Sequence, residues 1–416
     1  MRQSLRLGLL LALSTLLGST PIDAAWEIRR IDTGAGLSST RLDGDLAAYE
    51  KSGDIYLYRF SSGQLTPLTH DLNDPTDLII DLNEEKLWFW AHTWGDKAYD
   101  LYEYDARSEW KKRLFTTEAA VTLDHGVEDA GRLIIGMNHD WWLRTDGRSE
   151  QLTFSGESLC KQQPWLQGDY LVWRSVAGTP GVYVTYLPTR ETWSVYENND
   201  PPGSLCVSLP HVAWVDQPVA TAEETRIFHY RLDTGAVQTV GTSEESAWGQ
   251  LGIVPPHLIW LKKMGPSWMI MRTNLEDGAE ESLYVSELPM LIALVRAEDI
   301  LLVTENCPSS YERCWELGVF DQGTGLFSQL THFGTNSLIR SPGIDSGRVA
   351  FIRHSTLFPY VNEAFVGVKT PDPLCGTLTH TGGFDAWINL AVLLTPLAIV
   401  PWLCRRHRQR KPSKHS

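Results

Sequence analysis

Residues that could perform catalysis are scattered along this chain of 416 residues. The sequence contains neither the Gly-x-Ser-x-Gly pattern of a nucleophilic serine nor the His-Glu-x-x-His pattern of a zinc protease. Its 12 histidines lack the spacing of metal ligands, and both His70 and His332 simply follow a Leu-Thr pair. We therefore predict no catalytic residue, although an enzyme with a site on the axis of a ring-shaped fold stays an alternative.

One loop could hold a metal ion. Asp71, Asp74 and Asp77 lie in the segment His-Asp-Leu-Asn-Asp-Pro-Thr-Asp, and several carboxylates in a short loop are the ligands that Ca²⁺ prefers. The spacing lacks the glycine and the final glutamate of an EF-hand, and a solvated turn explains the same composition. Ca²⁺ is the one cofactor that the sequence suggests.

The 17 tryptophans raise the question of sugar binding, because exposed aromatic rings can stack on glycans. The candidates near predicted loops are Trp94, Trp141 and Trp142. Four others recur at equivalent places in a repeat and are predicted to fill the core: Trp90, Trp173, Trp214 and Trp260.

A repeat determines the predicted fold class. A four-residue strand core recurs eight times, at 46–49, 87–90, 133–136, 170–173, 211–214, 257–260, 300–303 and 348–351. The steps between copies range from 37 to 48 residues, with a mean near 43. Strands alone at this period are typical of four-stranded propeller blades. We predict an all-β, eight-bladed β-propeller, with seven blades as the alternative.

Further features repeat inside each unit. Asp54–Tyr58 is followed by the turn Ser61-Ser62-Gly63, and a Leu-Thr doublet closes three units at 68–69, 152–153 and 330–331. Together these features resemble the TolB-type (WD40-like) propeller repeat over roughly residues 40–370. The resemblance implies the fold but no particular function.

The ring needs a closing strand, because the eighth unit lacks a clear fourth strand before Pro371. The segment 26–31 alternates like a strand, and we predict that it completes the eighth blade.

The two ends predict export. Arg2 and Arg6 precede an apolar run, and Ala24 and Ala25 flank a cleavage point, so residues 1–24 are predicted to be a signal peptide. Residues 25–372 then form the propeller ectodomain, 373–383 a linker, 384–404 a transmembrane helix and 405–416 a basic cytoplasmic tail. The propeller would lie in the periplasm or at the cell surface.

Cys375-Gly376, the polar linker, the apolar span and the arginine-rich end together resemble a bacterial C-terminal sorting signal. Such signals are read by membrane proteases of the exosortase, rhombosortase and myxosortase types. The resemblance implies cleavage near Cys375 or Gly382-Gly383 and transfer to the surface. A permanent single-pass anchor is the alternative.

Four further cysteines lie in the predicted propeller. Cys307 and Cys314 flank a loop between two strands, and Cys160 and Cys206 precede equivalent strands of adjacent units. In an oxidising compartment we predict one disulfide within each pair.

Charge narrows the range of partners. Without the predicted signal and tail, the chain has 28 basic and 50 acidic residues and no basic run, which argues against nucleic acid as a partner. We expect a non-catalytic scaffold for an envelope or surface protein, with a carbohydrate-binding propeller as the alternative.

Overall fold

All the regular structure in the described part of the chain is β-strand. The computed structural model describes residues 26–69, 77–92, 98–117, 122–154, 161–198, 201–216, 225–243, 251–305, 314–356 and 360–370. These ranges hold 32 strands and no helix. Residues 28–368 form one compact unit, and a second unit, residues 1–27 and 369–416, lies almost wholly outside these ranges.

The strands form eight four-stranded antiparallel sheets, numbered here as blades 1 to 8 in chain order. Blade 1 consists of β2 (Leu37–Asp43), β3 (Leu46–Lys51), β4 (Asp54–Arg59) and β5 (Gln64–Pro67), and blade 2 of β6 (Leu78–Asn83), β7 (Lys86–His92), β8 (Tyr99–Asp105) and β9 (Trp110–Thr116). Blade 3 consists of β10 (Leu123–Asp129), β11 (Arg132–Met137), β12 (Asp140–Thr145) and β13 (Arg148–Gln151), and blade 4 of β14 (Lys161–Gln167), β15 (Tyr170–Ser175), β16 (Gly181–Tyr186) and β17 (Glu191–Glu197). Blade 5 consists of β18 (Leu205–Ser208), β19 (His211–Asp216), β20 (Thr225–Arg231) and β21 (Ala236–Ser243), and blade 6 of β22 (Gly252–Val254), β23 (His257–Met264), β24 (Ser267–Asn274) and β25 (Glu280–Ser286). Blade 7 consists of β26 (Met290–Val295), β27 (Asp299–Glu305), β28 (Trp315–Asp321) and β29 (Leu326–Gln329), and blade 8 of β30 (Ser337–Asp345), β31 (Arg348–Ser355), β32 (Asn362–Lys369) and β1 (Trp26–Gly34).

The first strand of each blade lies at the centre of the ring. These inner strands contact one another in an unbroken circle: β2, β6, β10, β14, β18, β22, β26, β30 and again β2. The circle confirms the prediction of an eight-bladed propeller and excludes seven blades.

The N-terminal strand closes the ring. β1 is the outermost strand of blade 8 and pairs with β32, as the alternation in residues 26–31 predicts. Glu363 on β32 accepts hydrogen bonds from Arg30 on β1 at 2.6 Å and from Arg353 on β31 at 2.8 Å. One carboxylate thus links three adjacent strands, one of them from the other end of the chain.

We expect Glu363→Gln to weaken this closure and lower the free energy of unfolding by about 1 kcal/mol. Buried hydrogen bonds to charged groups contribute more than about 1 kcal/mol to stability. Arg30, however, is largely exposed, so solvent screens its interaction with Glu363. Chemical denaturation would measure the loss, and hydrogen exchange should show faster opening of β1. Glu150→Gln, which removes an exposed ion pair with Arg190, is the control and should change stability less. Equal effects of the two variants would contradict the role of Glu363.

Side chains at the ends of the inner strands connect neighbouring blades. Asp345 accepts the Gly44 N–H at 2.8 Å across the junction of blades 8 and 1. Asp129 accepts the Gly168 N–H at 3.0 Å between blades 3 and 4, and Gln167 accepts the Leu209 N–H at 2.9 Å between blades 4 and 5. A polar residue at this position therefore satisfies a backbone donor in the turn of the next blade.

Bulky residues at the ends of the strand cores fill the space between blades. Trp90, Trp173, Trp214 and Trp260 are at most 1% exposed, which confirms their predicted place in the core. Trp260, on blade 6, belongs to an apolar cluster that also contains Ala213 and Ile227 of blade 5.

The repeated Leu-Thr doublet has a structural reason. The hydroxyl oxygens of Thr69, Thr153 and Thr331 accept the backbone N–H groups of Ile55, Trp141 and Leu317, at 2.8, 3.0 and 2.8 Å. Each bond joins the end of a blade's fourth strand to the start of its third strand. The threonine thereby pairs a buried donor at the point where the outer strand ends.

The cysteines follow the predictions only in part. Cys314 is disulfide-bonded to a residue outside the described ranges, so its pairing with Cys307 stays a prediction. Cys206 is a free thiol, 2% exposed, whose pKa is raised by burial. Its side chain packs with Leu258 and Trp260 toward blade 6, whereas Cys160 precedes blade 4. The predicted bridge between Cys160 and Cys206 is therefore wrong.

Several predictions concern residues outside the described ranges. They are the signal peptide 1–24 with Ala24 and Ala25, the sorting motif Cys375-Gly376, the transmembrane helix 384–404 and the basic tail 405–416. Within the described ranges, no helix could cross a membrane.

Candidate functional site

A pocket of about 550 Å³ lies where the inner strands of blades 7, 8 and 1 meet. We call it the axial pocket. Its described lining comprises Thr40, Arg41, Leu42, Leu291, Ile292, Ala293, Leu294, Arg296, Val303, Trp315, Ser341, Pro342, Gly343 and Ile344. The volume lies in the range of pockets that bind small molecules or the tip of a peptide.

Strand irregularities shape the walls of the pocket. β2, β26 and β30 each contain a bulge, at Ser38–Ser39, at Ala293 and at Ser341–Pro342. Residues in a bulge leave the ladder, so the bulge changes the direction of the strand and of its side chains. Pro342 is tolerated there because a bulge position needs no ladder N–H.

Blades 8 and 1 approach closely at the pocket. A Cβ atom on Gly343 would lie 3.3 Å from Leu42 Cβ, a tight contact that would require a shift of a few tenths of an ångström. The Thr40 hydroxyl donates to the carbonyl oxygen of Ser341, a residue with a φ of 46°. The bulge in β30 is therefore tied to the neighbouring inner strand by a side-chain hydrogen bond.

The charged side chains among the described lining of the axial pocket are all positive. Arg41 and Arg296 are its two charged residues among the described lining, which contains no aspartate or glutamate. The same lining contains no histidine or cysteine. With neither a carboxylate nor an imidazole at hand, these residues offer no general acid or base, but they can bind an anion.

A second polar cluster is buried within blade 5. His211 Nδ1 and His229 Nε2 lie 2.9 Å apart, and the side-chain amide nitrogen of Gln238 lies 3.1 Å from His229 Nδ1. Because an amide nitrogen only donates, His229 Nδ1 accepts and its Nε2–H donates to His211. Burial, with the nearby His211 and Arg231, lowers the pKa of His229 to about 4, so the pair is neutral at pH 7.

We expect acid to destabilise the protein through His229. Its pKa is about 6.5 in the unfolded chain and about 4 in the folded one, so the unfolded state binds more protons between these values. The free energy of unfolding should fall by up to about 3 kcal/mol as the pH falls through this window, with no contribution from His229 above it. Denaturation of His229→Gln across the same pH range should give a shallower slope, whereas the exposed His332→Gln should keep the original slope. Identical slopes for all three proteins would contradict this role.

The predicted Ca²⁺ loop receives no support from its one described residue. Asp77 is 8% exposed and accepts the His92 N–H at 3.1 Å, while Asp71 and Asp74 lie outside the described ranges. Among the described residues, no group of three or more histidine, cysteine or acidic side chains could hold a metal ion.

The two described tryptophans among the predicted glycan-binding residues, Trp141 and Trp142, do not form an exposed surface. Trp141 is 1% exposed and belongs to the apolar cluster between blades 3 and 4, so its prediction as a sugar platform is wrong. Trp142 points to the other side of β12, where it is half-buried against the cluster around Trp90. Trp94 lies outside the described ranges. The most exposed tryptophans are instead Trp110 and Trp165, at 56% and 38% among the described residues.

The two arginines of the axial pocket are absent from the sequence-based predictions. Single arginines on separate repeats carry no local motif, and only the closed ring brings residues 41 and 296 into one pocket. One signal was available: Pro342 lies within the inner strand of blade 8, and a proline in a strand indicates a bulge or an edge.

Known structures share the fold without revealing the activity. No protein-family model matches this sequence, and neither does any curated protein. BamB from Moraxella catarrhalis matches with a TM-score of 0.50 at 10% identity, over 82% of this chain and 99% of BamB. Dipeptidyl peptidase 4 from Porphyromonas gingivalis matches with a TM-score of 0.53 at 11% identity, over 81% and 58%.

An oligogalacturonate lyase in complex with manganese matches with a TM-score of 0.48 at 15% identity, over 84% of this chain and 94% of the lyase. The chain spans 49% to 58% of the length of the hydrolase, peptidase and protease chains that it matches. At such low identity these matches show the fold alone.

Proposed function

We propose that this protein is a non-catalytic binding scaffold that holds a protein partner at the axial pocket. The observation that carries the proposal is the composition of that pocket. Most of its described lining is apolar, its charged residues are both arginines, and it offers no acid–base pair. Such a surface suits recognition of a partner better than bond-breaking chemistry.

The proposed location is the cell envelope or surface, with the propeller on the extracytoplasmic side and a single membrane tether. The support comes from the sequence, namely the predicted signal peptide 1–24, the predicted span 384–404 and the arginine-rich tail. The acidic character of residues 25–372 fits a soluble domain that avoids anionic lipid head groups. The proposed sorting protease would act at Cys375-Gly376.

Site-specific photo-cross-linking in the native envelope tests the proposal. A photoreactive residue replaces Leu291, which lines the axial pocket, in the full-length protein, and a second protein carries it at Thr239, an exposed position on the outer strand of blade 5. We expect one protein adduct, identified by mass spectrometry, from position 291 and none from position 239. Adducts from position 239 alone would place the binding surface elsewhere. The absence of any protein adduct from either position would contradict the scaffold.

A further inference from the structure

The charge of the axial pocket is opposite to that of the chain. The sequence has 36 basic and 51 acidic residues and a net charge of −15. A pocket chosen at random on such a protein would contain more carboxylates than cations. The axial pocket instead has two arginines and no acidic residue among its described lining, so it is complementary to an anion.

Arg41 is incompletely neutralised by its surroundings. Its guanidinium donates to the carbonyl oxygen of Thr40 at 3.0 Å, and it forms no ion pair with the described residues. Asp81 senses the charge of Arg41, but the two oxygens of Asp81 already accept the N–H groups of Leu82 and Glu128. Burial raises the pKa of Asp81 to about 6 although Arg41 opposes the rise. Several donors of Arg41 are therefore left for a ligand.

Arg296 provides a second cation at the end of β26. Its side chain is exposed and forms no hydrogen bond or ion pair with the part of the chain that the structure describes. Only its backbone is engaged, since its N–H donates to the Asp299 carbonyl at 2.9 Å. A cation that is exposed and unpaired among the described residues can contact a ligand without losing another partner.

The rest of the lining selects for apolar groups. Leu42, Leu294 and Pro342 are half-buried and contribute apolar surface from blades 1, 7 and 8. Burying such surface is favourable at roughly 25 cal/mol per Å². A ligand that uses the whole pocket therefore combines an anionic group with an apolar body.

We infer that the axial pocket binds a carboxylate-bearing, otherwise apolar peptide segment of the protein partner, with Arg41 and Arg296 as its carboxylate-binding residues. The inference rests on the proposed function, because it names the chemistry of the partner at the same pocket. An acidic side chain in an apolar loop and a C-terminal carboxylate after apolar residues share this chemistry. Arginine is suited to both, because its guanidinium can bind a carboxylate through two parallel hydrogen bonds.

Weak-affinity chromatography on the immobilised full-length protein tests the inference with three probes. Ac-Leu-Asp-Leu-amide carries a side-chain carboxylate, Ac-Leu-Leu-Leu carries a C-terminal one, and Ac-Leu-Asn-Leu-amide is neutral. We expect at least one carboxylate peptide to be retained about tenfold more strongly than the neutral peptide, as one charge-assisted hydrogen bond implies. The difference should shrink at about 0.5 M salt, where exposed charges are screened.

Variants connect retention to the two arginines. Arg296→Gln, at an exposed position, and Arg41→Gln should each reduce the preference for the carboxylate, and Arg41→Lys should retain part of it. Arg148→Gln, on the exposed outer strand of blade 3, is the matched control and should change nothing. Equal retention of all three peptides by the wild-type protein would overturn the inference, as would a preference that survives in the Arg41→Gln, Arg296→Gln double variant.

The two failures are distinguishable. If the proposed function fails, photo-cross-linking at position 291 captures no protein. If only the inference fails, a partner is captured there but the carboxylate and neutral peptides are retained alike.

Discussion

Replacing Lys161 by methionine is expected to lower the free energy of unfolding by about 3–5 kcal/mol, because it leaves a buried carboxylate without its cation. Lys161 Nζ lies 2.9 Å from Asp140 Oδ1, and the two side chains are 2% and 9% exposed. The ammonium also donates to the His139 carbonyl oxygen at 2.5 Å. The pair joins the inner strand of blade 4 to β12 of blade 3, so its loss should loosen one blade junction.

Chemical denaturation of single and double variants measures this effect. Asp140→Leu removes the carboxylate, and the double variant Lys161→Met, Asp140→Leu removes both charges. Because breaking a buried pair costs more than replacing it, the double variant should be more stable than Lys161→Met alone. Lys112→Met, on the exposed outer strand of blade 2, is the control and should stay within about 0.5 kcal/mol of wild type. A loss below about 1 kcal/mol for Lys161→Met would show that the pair is dispensable.

A second large loss of stability is expected from Trp260→Ala, by about 3–5 kcal/mol. Trp260 is fully buried, and its indole N–H donates to the Thr273 hydroxyl at 2.8 Å. Gly241 leaves the space for the ring, since a Cβ atom there would lie 2.6 Å from Trp260. The alanine variant would have a cavity between blades 5 and 6. The Thr273 hydroxyl in the wall of that cavity would lose its hydrogen-bond donor.

Trp110→Ala is the matched control, because Trp110 is 56% exposed on the outer strand of blade 2. We expect its unfolding midpoint in denaturant to match that of the wild type, while that of Trp260→Ala falls clearly. If the two variants had comparable midpoints, the buried tryptophans at the ends of the strand cores would not be the residues whose packing stabilises the propeller.

The repeat made the architecture predictable. Each blade must bury an apolar strand core and turn back at regular intervals, so the period of the sequence reveals the number of blades. The closing strand was predictable for a related reason, since an open ring would expose two sheet edges. Trp260 and its equivalents recur with the repeat, and for that reason their burial could be predicted as well.

The side chains of the candidate site were not predictable in this way. Bulges such as Ser341–Pro342 shift the alternation of inward and outward residues, and a local pattern does not say by how much. The distance between residues 41 and 296 depends on closure of the whole ring. The same difficulty explains the errors at Trp141 and Cys206, whose direction depends on the pleat and on which neighbouring blade the strand faces.

The most direct test of the central claim is quantitative cross-linked capture of partners from the native envelope with the full-length wild-type protein and the Arg41→Gln, Arg296→Gln double variant. We predict that wild type recovers one protein in near-stoichiometric amount and that the double variant recovers several-fold less of it at the same expression level. Equal recovery by the two proteins, or recovery of no protein by the wild type, would contradict the account of this propeller as a scaffold that holds its partner at the axial pocket.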